Sequence, residues 1–155
     1  MTDLTWTGLM SRGRGPARVL VVDDEPLVRR SMVSAVQSLG YEAVAASSAE
    51  EALERLAEES FHAGLFDVRL PGLSGVDLLG QALERFPELA VVMLTGVGES
   101  SVALECLDLG ARGYLLKPLD LAFLTWALND AIALRALLVE RNRLAVGGGP
   151  SEEVS

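Results

Sequence analysis

Hydrophobic positions fall into two kinds of run that alternate along the chain. Short unbroken apolar runs, Val19-Leu20-Val21-Val22, Ala63-Gly64-Leu65-Phe66, Ala90-Val91-Val92-Met93-Leu94 and Tyr114-Leu115-Leu116, lack the in-out alternation of a half-exposed strand. They predict strands buried on both faces, as in a parallel sheet. A weaker strand is expected over 42–45. Between these runs, apolar residues recur every three or four positions, the repeat of a helix with one buried face. Val28, Met32, Val36 and Leu39 make the first stripe, with Arg29, Arg30 and Gln37 toward solvent. Ala52, Leu53 and Leu56 make the second, and Leu78, Leu79, Ala82, Leu83 and Phe86 the third. Val102, Leu104, Leu107 and Leu109 make the fourth.

Turn and cap residues agree with these boundaries. Pro26 fits a first helical turn, and Asp23-Asp24-Glu25 ahead of it suits the positive end of the helix dipole. Ser48 with Glu51, and Ser74 with Asp77, have the spacing of capping boxes. Ser100 or Ser101 is expected to cap the fourth helix, and Asp120 the last. Gly40, Pro87 and Gly110 close helices. From Asp120 the pattern stays helical until Gly147. Five strand-helix alternations with short connections predict an α/β fold. It is a five-stranded parallel sheet with helices on both faces and an extended C-terminal helix.

In such sheets ligands bind beyond the carboxyl ends of the strands. Asp23 and Asp24 follow the first strand, Asp67 the third, Thr95 the fourth and Lys117 the fifth. Carboxylates converging on one edge repel unless a cation neutralises them. Oxygen donors without imidazole or thiolate suit Mg2+ before Zn2+. Lys117 and Thr95 then offer a positive charge and a hydroxyl to the oxygens of a transferring phosphoryl group. Asp67 would be the nucleophile, giving an aspartyl phosphate. His62, at the start of a buried strand, reads as structural, as does the Cys106 thiol.

Composition narrows the class. A chain of 155 residues, half of them hydrophobic, supports one domain with a proper core. Its net charge of -9 argues against a nucleic-acid or anionic-membrane surface. One cysteine permits no intramolecular disulfide and suits a reducing compartment. The first 16 residues are too interrupted for a secretory signal, and no run reaches the roughly 18 apolar residues of a membrane span. A cytoplasmic protein, or a cytoplasmic piece of one, is the expectation. Its parts are a flexible tail over 1–16, the domain over 17–136, a helix extension over 137–146, and a disordered tail or linker over 147–155.

Val-Leu-Val-Val-Asp-Asp-Glu-Pro at 19–26, Phe-Asp-Val-Arg-Leu-Pro-Gly at 66–72, the Thr95-Gly96 step and Tyr-Leu-Leu-Lys-Pro at 114–118 occur together. The combination resembles the receiver domain of two-component response regulators, a flavodoxin-like fold, over roughly 17–136. The resemblance implies that Asp67 accepts a phosphoryl group from a histidine kinase or a histidine phosphotransfer protein. It implies Mg2+ held by Asp23, Asp24, Asp67 and the main-chain carbonyl of Arg69. Lys117 would pair with the phosphoryl group and precede a cis peptide to Pro118. Thr95 and Tyr114 would form the switch pair. Arg69 and Val97 stand where the family tunes hydrolysis of the acyl phosphate, and neither positions water, so slow self-dephosphorylation is expected. The rival, an aspartate-nucleophile phosphatase, would need a general acid or base beside Asp67 and a lid, and the sequence offers neither.

Leu124, Leu128, Ala131, Leu134 and Leu138 follow the 4-3-3-4 spacing of a coiled-coil seam. The long helix therefore either dimerises, together with the last strand-helix face, or leads to an output domain, or simply ends. No helix-turn-helix pattern or basic tract follows it. No direct nucleic-acid or membrane partner is expected. The chain reads as a stand-alone receiver or as one cut from a longer regulator.

Overall fold

The computed structural model describes residues 15–148. Expected tail residues 1–14 and 149–155 lie outside that range. The elements run β1 (Arg18–Val22), α1 (Pro26–Ser38), β2 (Glu42–Ala46), α2 (Ala49–Glu58), β3 (Ala63–Asp67), α3 (Gly75–Arg85), β4 (Ala90–Thr95), α4 (Ser100–Leu109), β5 (Gly113–Leu116) and α5 (Leu121–Gly148). All strand pairs are parallel, in the order β2-β1-β3-β4-β5.

The unbroken apolar runs have a simple cause. Successive strand residues point to opposite faces, and here both faces are covered. Val19 and Val21 pack with Met32 and Val36 of α1 and with Leu124, Leu128 and Ile132 of α5. Leu20 and Val22 pack on the other side with Ala52 and Leu56 of α2, Leu78 and Leu79 of α3, and Cys106 of α4. Each fully buried aliphatic side chain of this kind contributes about 1.5–3 kcal/mol. Because every strand runs the same way, Asp67 lies opposite Leu94, and Thr95 opposite Leu116. The polar strand ends therefore share one edge.

Several helix expectations need correction. On α4 the sheet takes the small Ala103 and Cys106, while Leu104 is 60 % exposed and Leu107 and Leu109 also face outward. This helix carries apolar residues on more than one side, so periodicity alone did not choose its inner face. Its N-cap is Glu99, not Ser100 or Ser101. Gly110 ends it in the left-handed region at φ 115°, as a glycine does best. On α2, the Ser48 hydroxyl accepts the Glu51 N–H at 3.0 Å. The Glu51 carboxylate, however, reaches one residue further back, to the Ser47 N–H and hydroxyl. The Ser74–Asp77 capping box is complete, and Asp120 caps α5 through the Ala122 and Phe123 N–H groups.

The leucine seam of α5 is largely internal. Leu124, Leu128 and Ala131 are buried against the sheet, so a coiled coil through them is not available. Leu121, Phe123, Trp126, Leu134 and Leu137 are exposed instead. By length and composition Leu121–Ala145 is apolar enough to cross a membrane, contrary to the reading from uninterrupted runs. Leu124, Leu128, Ala131 and Ile132 on its buried inner face account for part of that apolarity.

Candidate functional site

β1 ends by delivering Asp23 into a fully buried position. Its Oδ1 accepts the Glu25 N–H at 2.9 Å, which forms the turn into α1. Asp24 beside it is exposed. Arg29, expected to face solvent, donates from Nη1 to the Asp23 carbonyl at 2.8 Å and steadies the same turn.

Asp67 is the last residue of β3 and is buried. Its Oδ1 accepts the Arg69 N–H at 3.0 Å. The loop after it is tied at both ends: Val68 N–H donates to the Leu94 carbonyl and Gly75 N–H to the Val68 carbonyl, each at 2.9 Å. The approach at Gly75 is so close that a Cβ there would lie 1.9 Å from the Asp67 carbonyl oxygen. Only glycine fits that position.

Lys117 follows β5, and its N–H bonds the Thr95 carbonyl at 2.8 Å. Its Nζ then reaches Asp67 Oδ2 at 2.8 Å and Asp23 Oδ2 at 3.0 Å. The Lys117–Pro118 peptide is cis. Burial pushes the Asp67 carboxyl up; Lys117 and the Arg69 N–H oppose this, and Asp23 adds to it. Burial alone would lower Lys117, but its bonds to Asp67 and Asp23 hold it above the usual lysine value. The ammonium thus stays charged between two acids that would otherwise repel.

Carboxylate oxygens of Asp23, Asp24 and Asp67 come within 4.8 Å of one another. An all-oxygen set with this spacing fits a hard divalent cation such as Mg2+. The cluster is a match of donor type and spacing, and the Lys117 ammonium now occupies part of the same acceptor set. Thr95 is buried at the same edge, its Oγ1 without a hydrogen-bond partner among the described residues. An idle buried hydroxyl is costly.

Of the residues expected at the site, Asp23, Asp24, Asp67 and Lys117 therefore come together, with Thr95 at their rim. Tyr114 stands apart, 40 % exposed, with Leu116, Pro118, Phe123 and Trp126 around an open groove of about 430 Å³. Val97 is exposed. The Arg69 side chain leans across the mouth to pair with the buried carboxylate of Glu99. Glu99 Oε1 also accepts the Gly96 N–H at 2.6 Å, the main reason that its carboxyl sits below the usual range, with Arg69 reinforcing it. Sequence reading missed Glu99 and Arg29. No spacing rule links Arg69 to a residue thirty positions later; only the adjacency of β3 and β4 does. His62 is structural as expected, its Nδ1 accepting the Arg18 N–H.

Comparison with known proteins gives one consistent result. A family model described as response regulator receiver domain matches residues 19–129. The chain is 39 % identical over 121 residues to the response regulator protein FleR of Pseudomonas aeruginosa, covering 78 % of this chain and 25 % of that protein. It is 36 % identical to PilR of the same organism, covering 76 % of this chain and 26 % of PilR. The chain thus spans about a quarter of the length of these curated relatives. A receiver domain crystal structure from Clostridium thermocellum superposes with a TM-score of 0.76 at 35 % identity, over 79 % of this chain and 98 % of that one. NtrX from Brucella abortus gives 0.79 at 30 % identity, over 83 % of this chain and 29 % of NtrX.

Proposed function

The chain belongs to the response regulator receiver domain family, and on that premise we propose that Asp67 accepts a phosphoryl group from a histidine kinase or a histidine phosphotransfer protein. The observation that carries this reading is the Asp67–Lys117–Asp23 constellation at the carboxyl edge of the sheet. An Asp67 oxygen forms the new bond to phosphorus as the phosphorus–nitrogen bond of the donor histidine breaks. Lys117 turns toward the phosphoryl oxygens, and the idle Thr95 hydroxyl donates to one of them. Asp23, Asp24, Asp67 and the Arg69 main-chain carbonyl would hold Mg2+, which would supply neutralising charge there. The protein is a phosphoryl acceptor, not an enzyme acting on an external substrate.

Tyr114, exposed in this state, turns inward as Thr95 moves, and this changes the face of α4, β5 and α5. Leu104, Leu116, Phe123 and Trp126 expose apolar surface there, which supports a homodimer contact or the docking of an output domain. We assign the signalling unit to 17–136 and a helical extension to 137–146, in a cytoplasmic setting. Arg69 and Val97 stand at the two positions that tune hydrolysis, and neither is a carboxylate or amide that orients water. Self-dephosphorylation is slow, and a half-life of seconds for the isolated protein would contradict this.

The test is intact mass and light scattering on wild type and Asp67→Asn, with Mg2+ and acetyl phosphate. Wild type gains the mass of one phosphoryl group and Asp67→Asn none. No gain by wild type, while an authentic receiver labels in parallel, refutes the reading.

A further inference from the structure

A phosphoryl group on Asp67 brings negative charge to a place where the donors are already distributed. Lys117 is bound to the two carboxylates, and the Thr95 hydroxyl is idle. Two further donors at the mouth, the Gly96 N–H and the Nε–H of Arg69, are bonded to Glu99. Register shows why these are the relevant ones. Asp67 lies opposite Leu94, and a strand rises about 3.3 Å per residue. Thr95 and Gly96 therefore stand one and two steps beyond the level of Asp67, alongside whatever its carboxylate carries outward.

Glu99 is unusual for an acid in a loop. Its side chain is 8 % exposed, whereas that of its partner Arg69 is 80 % exposed. A buried carboxylate with a backbone N–H on one oxygen and a guanidinium on the other presents the kind of bonding a phosphoryl oxygen requires. It is already supplied, inside the chain, in the state without phosphate.

We propose that Glu99 is an internal counter-anion that competes with the acyl phosphate for Gly96 N–H and Arg69. It is a positioning residue, acting through those two groups, and it raises the threshold for phosphorylation. The inference rests on the reading of Asp67 as acceptor. When the phosphoryl group arrives, repulsion and competition release Glu99, the N-cap of α4. The site is thereby linked to the first turn of the helix whose outer leucines are exposed.

The experiment measures Mg2+ affinity alone, and then beryllofluoride affinity at saturating Mg2+, by titration calorimetry on the full chain. Wild type, Glu99→Gln, Glu99→Ala and an Asp67→Asn control are compared. Glu99→Gln keeps shape and an acceptor for Gly96 N–H but loses the charge. It binds beryllofluoride about fivefold more tightly, the net scale of one ordinary hydrogen bond, while its Mg2+ affinity is unchanged or lower. Removing an anion cannot favour a cation. Glu99→Ala gives the same ordering, so the result does not depend on one variant folding well. A loop merely loosened by substitution weakens both ions together, and that outcome overturns the proposal. So does equal beryllofluoride affinity in wild type and Glu99→Gln. Absence of beryllofluoride binding to wild type itself defeats the Asp67 reading, and this proposal with it.

Discussion

Two glycines five residues apart on α3 should respond oppositely to one added methyl group. At Gly75 a Cβ would stand 1.9 Å from the Asp67 carbonyl oxygen, 2.7 Å from its carbon and 2.8 Å from the Val68 Cα, where ordinary contact begins at 3.4 Å. All three obstacles are backbone, in a segment pinned by the Val68–Leu94 and Gly75–Val68 hydrogen bonds. No side chain can swing away. Overpacking typically costs 1–3 kcal/mol, and an overlap against fixed backbone belongs at or above the top, about 3 kcal/mol or more. At Gly80 nothing lies within 4 Å. There the substitution only removes the entropic cost of glycine in a helix, a gain of about 0.5–1 kcal/mol. Urea unfolding of Gly75→Ala and Gly80→Ala should therefore separate the two by roughly 4 kcal/mol, with wild type between them. At roughly 4 °C per kcal/mol for a domain of this size, Gly75→Ala should melt about 12 °C below wild type. Any Gly75→Ala protein that does fold should also bind beryllofluoride poorly, because relief of the overlap moves the Asp67 backbone. A Gly75→Ala protein within about 0.5 kcal/mol of wild type, a surface-like effect, would refute the close approach of α3 to β3.

Lys117→Ala should slow phosphorylation by acetyl phosphate about 10²-fold, the usual loss when one preorganised charge is removed. The same variant should bind Mg2+ more tightly in calorimetry, because the ammonium no longer occupies Asp23 Oδ2 and Asp67 Oδ2; weaker Mg2+ binding would contradict the assigned competition. Glu51 supplies a pH test. Its carboxyl lies below the ordinary value, chiefly because it accepts the Ser47 N–H. A lowered folded-state value stabilises the fold above the ordinary carboxylate pKa and loses that contribution as pH falls through the lowered value. Urea stability of Glu51→Gln against wild type should thus differ at neutral pH and converge in acid; a constant gap would show that the carboxylate plays no part.

Much of the molecule was legible without coordinates, for definite reasons. A strand covered on both sides must be apolar at every position, so the runs at 19–22 and 90–94 announced a parallel sheet. The carboxyl ends of such strands must share an edge, so Asp23, Asp67, Thr95 and Lys117 could be gathered from order alone. Caps obey local spacing, which is why Ser74 with Asp77 was readable. Where a helix has apolar residues on two sides, local pattern fails. Only the sheet beneath α4 selected Ala103 and Cys106 over the leucines, and only the depth of the core drew Leu124, Leu128 and Ala131 inward from an apparent coiled-coil seam. The Arg69–Glu99 pair belongs to the same class. It joins two loops through the adjacency of β3 and β4, and no periodicity encodes that. Sequence determined the elements, their order and the edge where the chemistry gathers, because burial and chain direction act residue by residue. Tertiary structure decided which side of each helix is surface and which charges meet, because those depend on what lies across the gap.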